Sequence, residues 1–267
     1  MEKIGLIAGN RKFPLLFSQA ARKKGCQVIA IAIKGDTSRQ LSKYADKVYW
    51  LGLDEFSRMF DIFKKEGLTD VVMAGQISPH RLFSREIEKD KELKDIIRGL
   101  KDKRADTIFG AIAKRLQDHG LRLVDSTTYL EDFLPKKGVI TVSQPDFDTW
   151  EDIYFGLNIA KAIAYLDIGQ AVAVKGKAIV AVEALEGTDN LIRRAGRIAR
   201  AGITVVKVSK PKQDTRFDIP VVGLNTVKNL VKASARCLAI EAAKTLFIDK
   251  EKSIALADQK GITVVAV

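Results

Sequence analysis

Apolar and polar residues fall into alternating blocks along the first half of the chain. "KIGLIAG" is an unbroken apolar run of strand length, and "QVIAIAI" is a second. Between them "FPLLFSQAARKKG" repeats its apolar positions at helical spacing, with Pro14 near its start and Gly25 beyond its end. "DKVYWLG" and "DVVMAGQ" predict two more short strands on either side of the helical "LDEFSRMFDIFKKEG". This strand, helix, strand order predicts a Rossmann-like, doubly wound parallel sheet. From Ser78 to His119 the pattern is helical, and its charged stretch "REIEKDKELKDIIRGLKDKR" reads as a solvated helix face. "LRLVD" supplies a closing strand.

The pattern breaks at "YLEDFLPKKGVITVSQP", where Pro135, two lysines and Gly138 interrupt the apolar periodicity. After it comes a helix, "WEDIYFGLNIAKAIAYL", and then "QAVAVKGKAIVAVEAL", two apolar runs joined by Lys175, Gly176 and Lys177 as in a hairpin. "ITVVKVSK", "AKTLFID" and "ITVVAV" add strands with helices between them. The expectation is an α/β protein of two domains, residues 1–132 Rossmann-like and residues 133–267 α/β with a mixed sheet that carries the acidic motifs.

Composition narrows the class. At 267 residues, with 46% hydrophobic and 29% charged, the chain is that of a folded globular protein. No apolar run approaches the roughly 18 residues of a membrane span, and "MEKIGLIAGNRK" starts a strand rather than a signal peptide, so a cytoplasmic location is expected. Cys26 and Cys237 lie far apart inside apolar patterns and read as buried neutral thiols. The net charge of +12 points to an anionic partner. Residues 1–134 hold 25 basic against 19 acidic residues and the remainder 20 against 14, so there is no basic tail. With only 7% aromatic residues for stacking, nucleic acid is not the expected partner.

The candidate chemistry centres on "KPKQDTRFDIPVVGLNT". Pro211 and Pro220 restrict Lys210 and Ile219 to extended backbone. If the middle is extended too, Asp214, Arg216 and Asp218 share one face while Phe217 and Ile219 anchor the other. An Asp-Arg-Asp ladder on an edge strand would explain the same spacing without a ligand. In "VEALEGTDNLIRRAGRIARAG", Glu183, Glu186 and Asp189 mark a strand-to-helix passage, with Thr188 or Asp189 as the N-cap. Arg193, Arg197 and Arg200 follow on one helical face. Acids beside a phosphate-attracting helix start are reconciled by a divalent cation; hard oxygen ligands favour Mg²⁺, with Mn²⁺ as substitute. Asp214 and Asp218, helped by Glu183 or Asp189, are the expected ligands. Lys207, Lys210 and Arg216 are expected on diphosphate oxygens. His80 and His119 read as structural or solvated. In the first half, Gly5, Gly9 and Asn10 allow close approach of a phosphate or nucleoside. Gly75 and Gln76 lie at a strand's carboxyl end, and Asp36 is placed for a ribose contact.

Four segments taken together resemble the LpxI-type UDP-2,3-diacylglucosamine pyrophosphatases of lipid A biosynthesis. They are "GLIAGNRKFPLLFSQAARKKG", "AGQISPHRLF", "LDIGQAVAVKGKAIVAVEALEGTDNLI" and "VKVSKPKQDTRFDIPVVGLNTV", in order over nearly the whole chain. The chain departs from the family at Arg11, where a glycine is usual, and at Ala105, where a glycine usually precedes the aspartate. The resemblance implies a cytoplasmic, Mg²⁺-dependent hydrolase that yields UMP and 2,3-diacylglucosamine 1-phosphate, with water directed at the sugar-side phosphorus. It also implies two α/β domains holding the substrate between them, and a homodimer. Gly169, Gln170, Thr188, Gln213 and Thr226, inside the matching segments, join the candidate substrate contacts. Asp125, Asp106 and Asp167 are weaker candidates, with losses below tenfold expected on substitution. The helix bearing Trp150, Tyr154, Phe155 and Ile159 offers an apolar surface for acyl chains, against plain core packing, and the basic surface suits weak peripheral contact with an anionic membrane. Two rival classes remain: a dinucleotide-dependent oxidoreductase, which would carry an extractable chromophore, and a non-catalytic nucleotide- or RNA-binding module with steep salt dependence.

Overall fold

A computed structural model of the chain describes residues 2–267 apart from Pro79, His80, Leu82, Phe83, Lys103, Arg104 and Lys212, and apart from the side chains of Ala105 and Asp106. It divides into two compact units: Met1–Glu131 with Asp214–Asp218, and Asp132–Gln213 with Ile219–Val267.

The first unit runs β1 (Lys3–Ala8), α1 (Phe13–Lys23), β2 (Gln27–Ile33), β3 (Lys47–Leu51), α2 (Arg58–Lys65), β4 (Asp70–Ala74), α3 (Lys91–Arg98), α4 (Ala105–Asp118) and β5 (Arg122–Leu123). Its five strands pair in parallel in the order β3-β2-β1-β4-β5. Ile29, Ile31 and Ile33 of β2 face a core completed by Met59, Phe60 and Phe63 of α2, Leu93 and Ile96 of α3, and Leu116 of α4. The alternate residues Val28, Ala30 and Ala32 are buried on the other face, where α1 lies, so the sheet is doubly wound as expected. The charged stretch after Ser84 is less solvated than its composition suggests. Asp90 caps α3 through Leu93 N at 2.9 Å, and Leu93 and Ile96 turn into the core.

The second unit holds β6 (Gly138–Val139), α5 (Phe147–Tyr165), β7 (Ala171–Lys175), β8 (Ala178–Val182), α6 (Thr188–Ala199), β9 (Thr204–Lys207), β10 (Val221–Val222), α7 (Leu224–Lys232), β11 (Cys237–Ile240), β12 (Leu246–Phe247), α8 (Lys250–Gln259) and β13 (Thr263–Ala266). Six strands form one mixed sheet, β6-β13-β11-β9-β7-β8, and β10 pairs with β12 separately. The hairpin of β7 and β8 turns through Gly176 and Lys177, both at positive φ (59° and 56°), and Asp152 accepts their amide protons at 3.1 and 2.6 Å. Alternation again sorts the core. Val172, Val174, Val206 and Ala239 face α5, while Ala173, Val205, Leu238 and Val264 face α6, α7 and α8. Trp150, Phe155 and Ile159 of α5 pack on that first layer, and Tyr154, stacked on Trp150 at 5.7 Å, stays exposed. Both thiols are free and buried, and burial pushes Cys237 up to about 12. Among the described residues no helix is long and apolar enough to cross a membrane.

Candidate active site

In the first unit the loops after β1 and β4 meet where the strand order reverses, the position at which open α/β sheets bind ligands. Gly9 N donates to Ala74 O at 2.8 Å and Asn10 N to Gln76 O at 2.7 Å. A Cβ on Gly9 would lie 2.5 Å from Gln76 O, and one on Gly75 would lie 2.5 Å from Asn10 O, so both glycines are required by the interlock of the two loops. Asn10 Nδ2 reaches Ser78 Oγ at 3.4 Å. Asp36 accepts from the Ser78 amide at 3.2 Å and pairs with Arg81 at 3.3 Å, its side chain almost fully buried. Its carboxylate therefore ties the β2 and β4 loops together rather than awaiting a ribose. His80 and the Asp106 side chain lie outside the described residues. His119 stacks on Phe60 at 4.0 Å, a structural role.

The segment 214–218 differs from its expected form in two ways. It is a turn, not an extended strand: Phe217 N and Asp218 N both donate to Asp214 O, at 3.2 and 3.0 Å. The prolines constrain themselves and the residues before them, which leaves 214–218 free to coil. By its contacts the segment groups with the first unit, whereas the sequence reading counted it with residues 133–267. Thr215 O accepts from Ser126 N at 3.0 Å and Ser126 Oγ at 2.6 Å, and the Thr215 hydroxyl donates to Asp125. Phe217 inserts beside Phe109, 5.7 Å between ring centres, at the edge of the core. Arg216 forks onto Asp214, Nε to Oδ1 at 2.9 Å and Nη2 to Oδ2 at 2.7 Å. Those bonds outweigh partial burial and hold the Asp214 carboxyl below the usual carboxylate range. Asp214 and Asp218, four apart on one turn, are a pair of hard oxygen donors next to a guanidinium.

In the second unit, polar groups gather at the carboxyl ends of β8, β9 and β11. Glu183 is only 7% exposed and Lys207 9%. The Thr188 hydroxyl donates to Glu183 Oε1 and accepts from Lys207 Nζ, both at 2.7 Å, while Gln170 N donates to Glu183 Oε2 at 3.1 Å. A Cβ on Gly169 would lie 2.1 Å from Glu183 O, which explains the glycine. Gly187 is the N-cap of α6 and Thr188 its first residue, freeing the threonine hydroxyl for this relay. Asp189 accepts from Asn225 Nδ2 at 2.6 Å and so links the first turns of α6 and α7. Glu186 is bound by Arg194 at 2.7 Å. Lys210 pairs with Asp167 at 2.7 Å, and Gln213 Oε1 accepts from Lys210 N at 2.6 Å. Thr226 is buried and accepts from Gly223 N at 3.4 Å, closing the start of α7. Sequence reasoning missed Glu241. Its Oε2 accepts from Ser209 N, Ser209 Oγ and Lys161 at 2.9, 2.7 and 2.6 Å, and its Oε1 from Lys244 at 2.7 Å. Burial opposes its charge, but these bonds prevail and hold it at about 2. The cue was its position directly after a short apolar run, "CLAI".

Four acids were expected around one cation. Glu183 and Asp189 stand in the second unit and Asp214 and Asp218 in the first, and no three potential ligands cluster around a metal position among the described residues. Glu183 is held by Thr188 and Gln170 N, Asp189 by Asn225, and Asp214 by Arg216. The Asp214 and Asp218 pair still suits Mg²⁺, which commonly takes one or two carboxylates and completes its shell with phosphate oxygens and water.

The fold and these clusters define a two-unit α/β protein with its polar chemistry at the carboxyl ends of parallel strands. The chain belongs to the LpxI family: residues 3–133 match the LpxI N-terminal domain and residues 136–265 the LpxI C-terminal domain. It is 28% identical over 279 aligned positions to the UDP-2,3-diacylglucosamine pyrophosphatase LpxI of Caulobacter vibrioides, covering 100% of this chain and 98% of that protein. Solved structures overlap more loosely. The biotin carboxylase domain of a Hydrogenobacter thermophilus 2-oxoglutarate carboxylase is 16% identical at a TM-score of 0.30, over 74% of this chain and 41% of that one. A glycinamide-RNase-transformylase T from Mycobacterium tuberculosis is 13% identical at 0.24, over 68% and 44%. The chain thus spans less than half of these two proteins, and overlaps this loose decide nothing about activity.

Proposed function

We propose that the protein hydrolyses the diphosphate of UDP-2,3-diacylglucosamine, releasing UMP and 2,3-diacylglucosamine 1-phosphate, with Mg²⁺ as cofactor. The observation that carries this reading is the 214–218 turn, two carboxylates and a guanidinium fixed to the core of the first unit, in a chain of this family over almost its entire length. Asp214 and Asp218 would hold the cation, which supplies charge neutralisation on the diphosphate oxygens. Arg216 keeps Asp214 ionised and retains Nη1 for a phosphate oxygen. In the second unit Lys207 Nζ donates one N–H to the Thr188 hydroxyl, and its other two N–H bonds are available to an anionic substrate. Glu183 orients Thr188 and balances the Lys207 charge. Water oxygen bonds to the sugar-side phosphorus as the bridging P–O bond breaks, and UMP leaves with the bridging oxygen. The same reading has the enzyme act in the cytoplasm as a homodimer, which sedimentation at micromolar concentration tests.

The test is incubation of the pure protein with UDP-diacylglucosamine in ¹⁸O-water, with and without EDTA. UMP free of label and a labelled lipid phosphate are expected, both abolished by EDTA and restored by Mg²⁺. Turnover unaffected by EDTA would remove the metal from the reading, and the absence of UMP with Mg²⁺ present would remove the activity.

A further inference from the structure

Helices α6 and α7 approach closely where Gly196 meets Ala233: a Cβ on Gly196 would lie 2.6 Å from the alanine Cβ. Beside that contact runs an open groove of about 630 Å³ lined by Arg193, Arg194, Arg197 and Lys232, with Glu186 at one end. Arg194 is neutralised by Glu186 at 2.7 Å, and Arg193 Nε is bound to the Asp189 carbonyl at 3.1 Å. Arg197 and Lys232 have no carboxylate partner among the described residues and are exposed. Arg200, expected on the same face, is the C-cap of α6 at φ 64° and falls outside the helix and the groove. Four cations against one acid on a single face make a local field that the two-acid turn of the first unit does not share.

Two large apolar side chains stand out on this stretch of chain: Leu185, 81% exposed in the turn before α6, and Ile198, 61% exposed near the end of α6. Isolated apolar exposure is ordinary, but next to a cationic row it is the composition of a surface that meets both phosphate and hydrocarbon. We infer that this α6–α7 face docks on the surface of an anionic phospholipid bilayer, with a lipid phosphate seated in the groove between Arg197 and Lys232. Arginine and lysine recognise the phosphate, and Leu185 and Ile198 enter the boundary between headgroups and chains. The groove runs along α6, a helix about 18 Å long whose first residue, Thr188, belongs to the Glu183–Thr188–Lys207 cluster. Granting the proposed activity, docking would hold the second unit at the surface where a diacylated substrate resides.

The experiment is co-sedimentation with vesicles of phosphatidylcholine alone or mixed equally with phosphatidylglycerol, at fixed salt. It compares the wild type with Arg197→Gln/Lys232→Gln and with a charge-matched control, Lys64→Gln/Lys65→Gln on α2. The wild type should bind only the anionic vesicles. The groove variant should bind at least about tenfold more weakly and the control within about twofold of wild type. Equal losses in both variants would assign the attraction to the overall charge of +12 and overturn the inference. Thermal stabilisation by millimolar glycerol 1-phosphate with no vesicle binding, or tighter binding to unrelated RNA than to vesicles, would overturn it too. None of these readouts uses catalysis, so vesicle binding can fail while UMP release persists, and the reverse.

Discussion

Arg216 and Asp125 each act on the proposed site through Asp214 or its turn. Arg216 depresses the Asp214 pKa, so the carboxylate stays ionised as pH falls below its ordinary range. Arg216→Gln removes that support and lets the pKa rise, which predicts that the acid limb of the kcat/KM profile moves to higher pH; an unmoved limb would separate Asp214 from the titration. Asp125 holds the Thr215 hydroxyl and is itself fixed by Thr127 N and Oγ1 at 2.7 and 2.6 Å. The sequence assigned it a loss below tenfold. Its place under the turn now predicts that Asp125→Ala lowers kcat by about a hundredfold with the fold retained, because small misplacements of reacting groups are that costly. Residue identities alone singled out Asp214, Arg216 and Asp218 as candidates. Their partners did not show, since Asp125 and Thr215 are ninety positions apart.

At the scale of elements, most longer strands and helices were legible because their alternation or helical period is sustained. β11 escaped notice, although it is central to the second sheet, because "CLAI" is four residues between Arg236 and Glu241 and has no period to read. The two-residue strands β6 and β10 are shorter still. The turn at 214–218 was misread for a related reason: charges at every second position imitate a strand, while i and i+4 place Asp214 and Asp218 together on one coil. The approach of α5 to its sheet was also hidden, since nothing local marks Gly156 as a contact. A Cβ there would lie 2.6 Å from Val206 Cγ2 and 3.0 Å from Val174 Cγ2. Gly156→Ala should therefore destabilise the second unit by about 1–3 kcal/mol in urea titrations, the usual cost of overpacking. No change in midpoint would show that the sheet yields there.

For the whole molecule, the chain leaves the second unit at Gln213, contributes five residues to the first, and returns at Ile219. A break in composition cannot reveal such an excursion, because it is made by tertiary contacts. The second unit keeps its own electrostatic anchor in Glu241. A carboxyl held at about 2 when folded contributes stability that is present above its unfolded pKa near 4.5 and is lost as pH falls from there toward 2. Glu241→Gln should cost about 2 kcal/mol at pH 7 and flatten the dependence of stability on pH between about 5 and 2, read by denaturation across that range. The account turns on the carboxylates of the excursion. The direct measurement is the single-turnover rate of UMP release at saturating Mg²⁺ and substrate for Asp214→Asn and Asp218→Asn, beside circular dichroism of each. A loss of at least about a hundredfold in both, with native spectra, is predicted. Near-normal rates in two well-folded variants would contradict it.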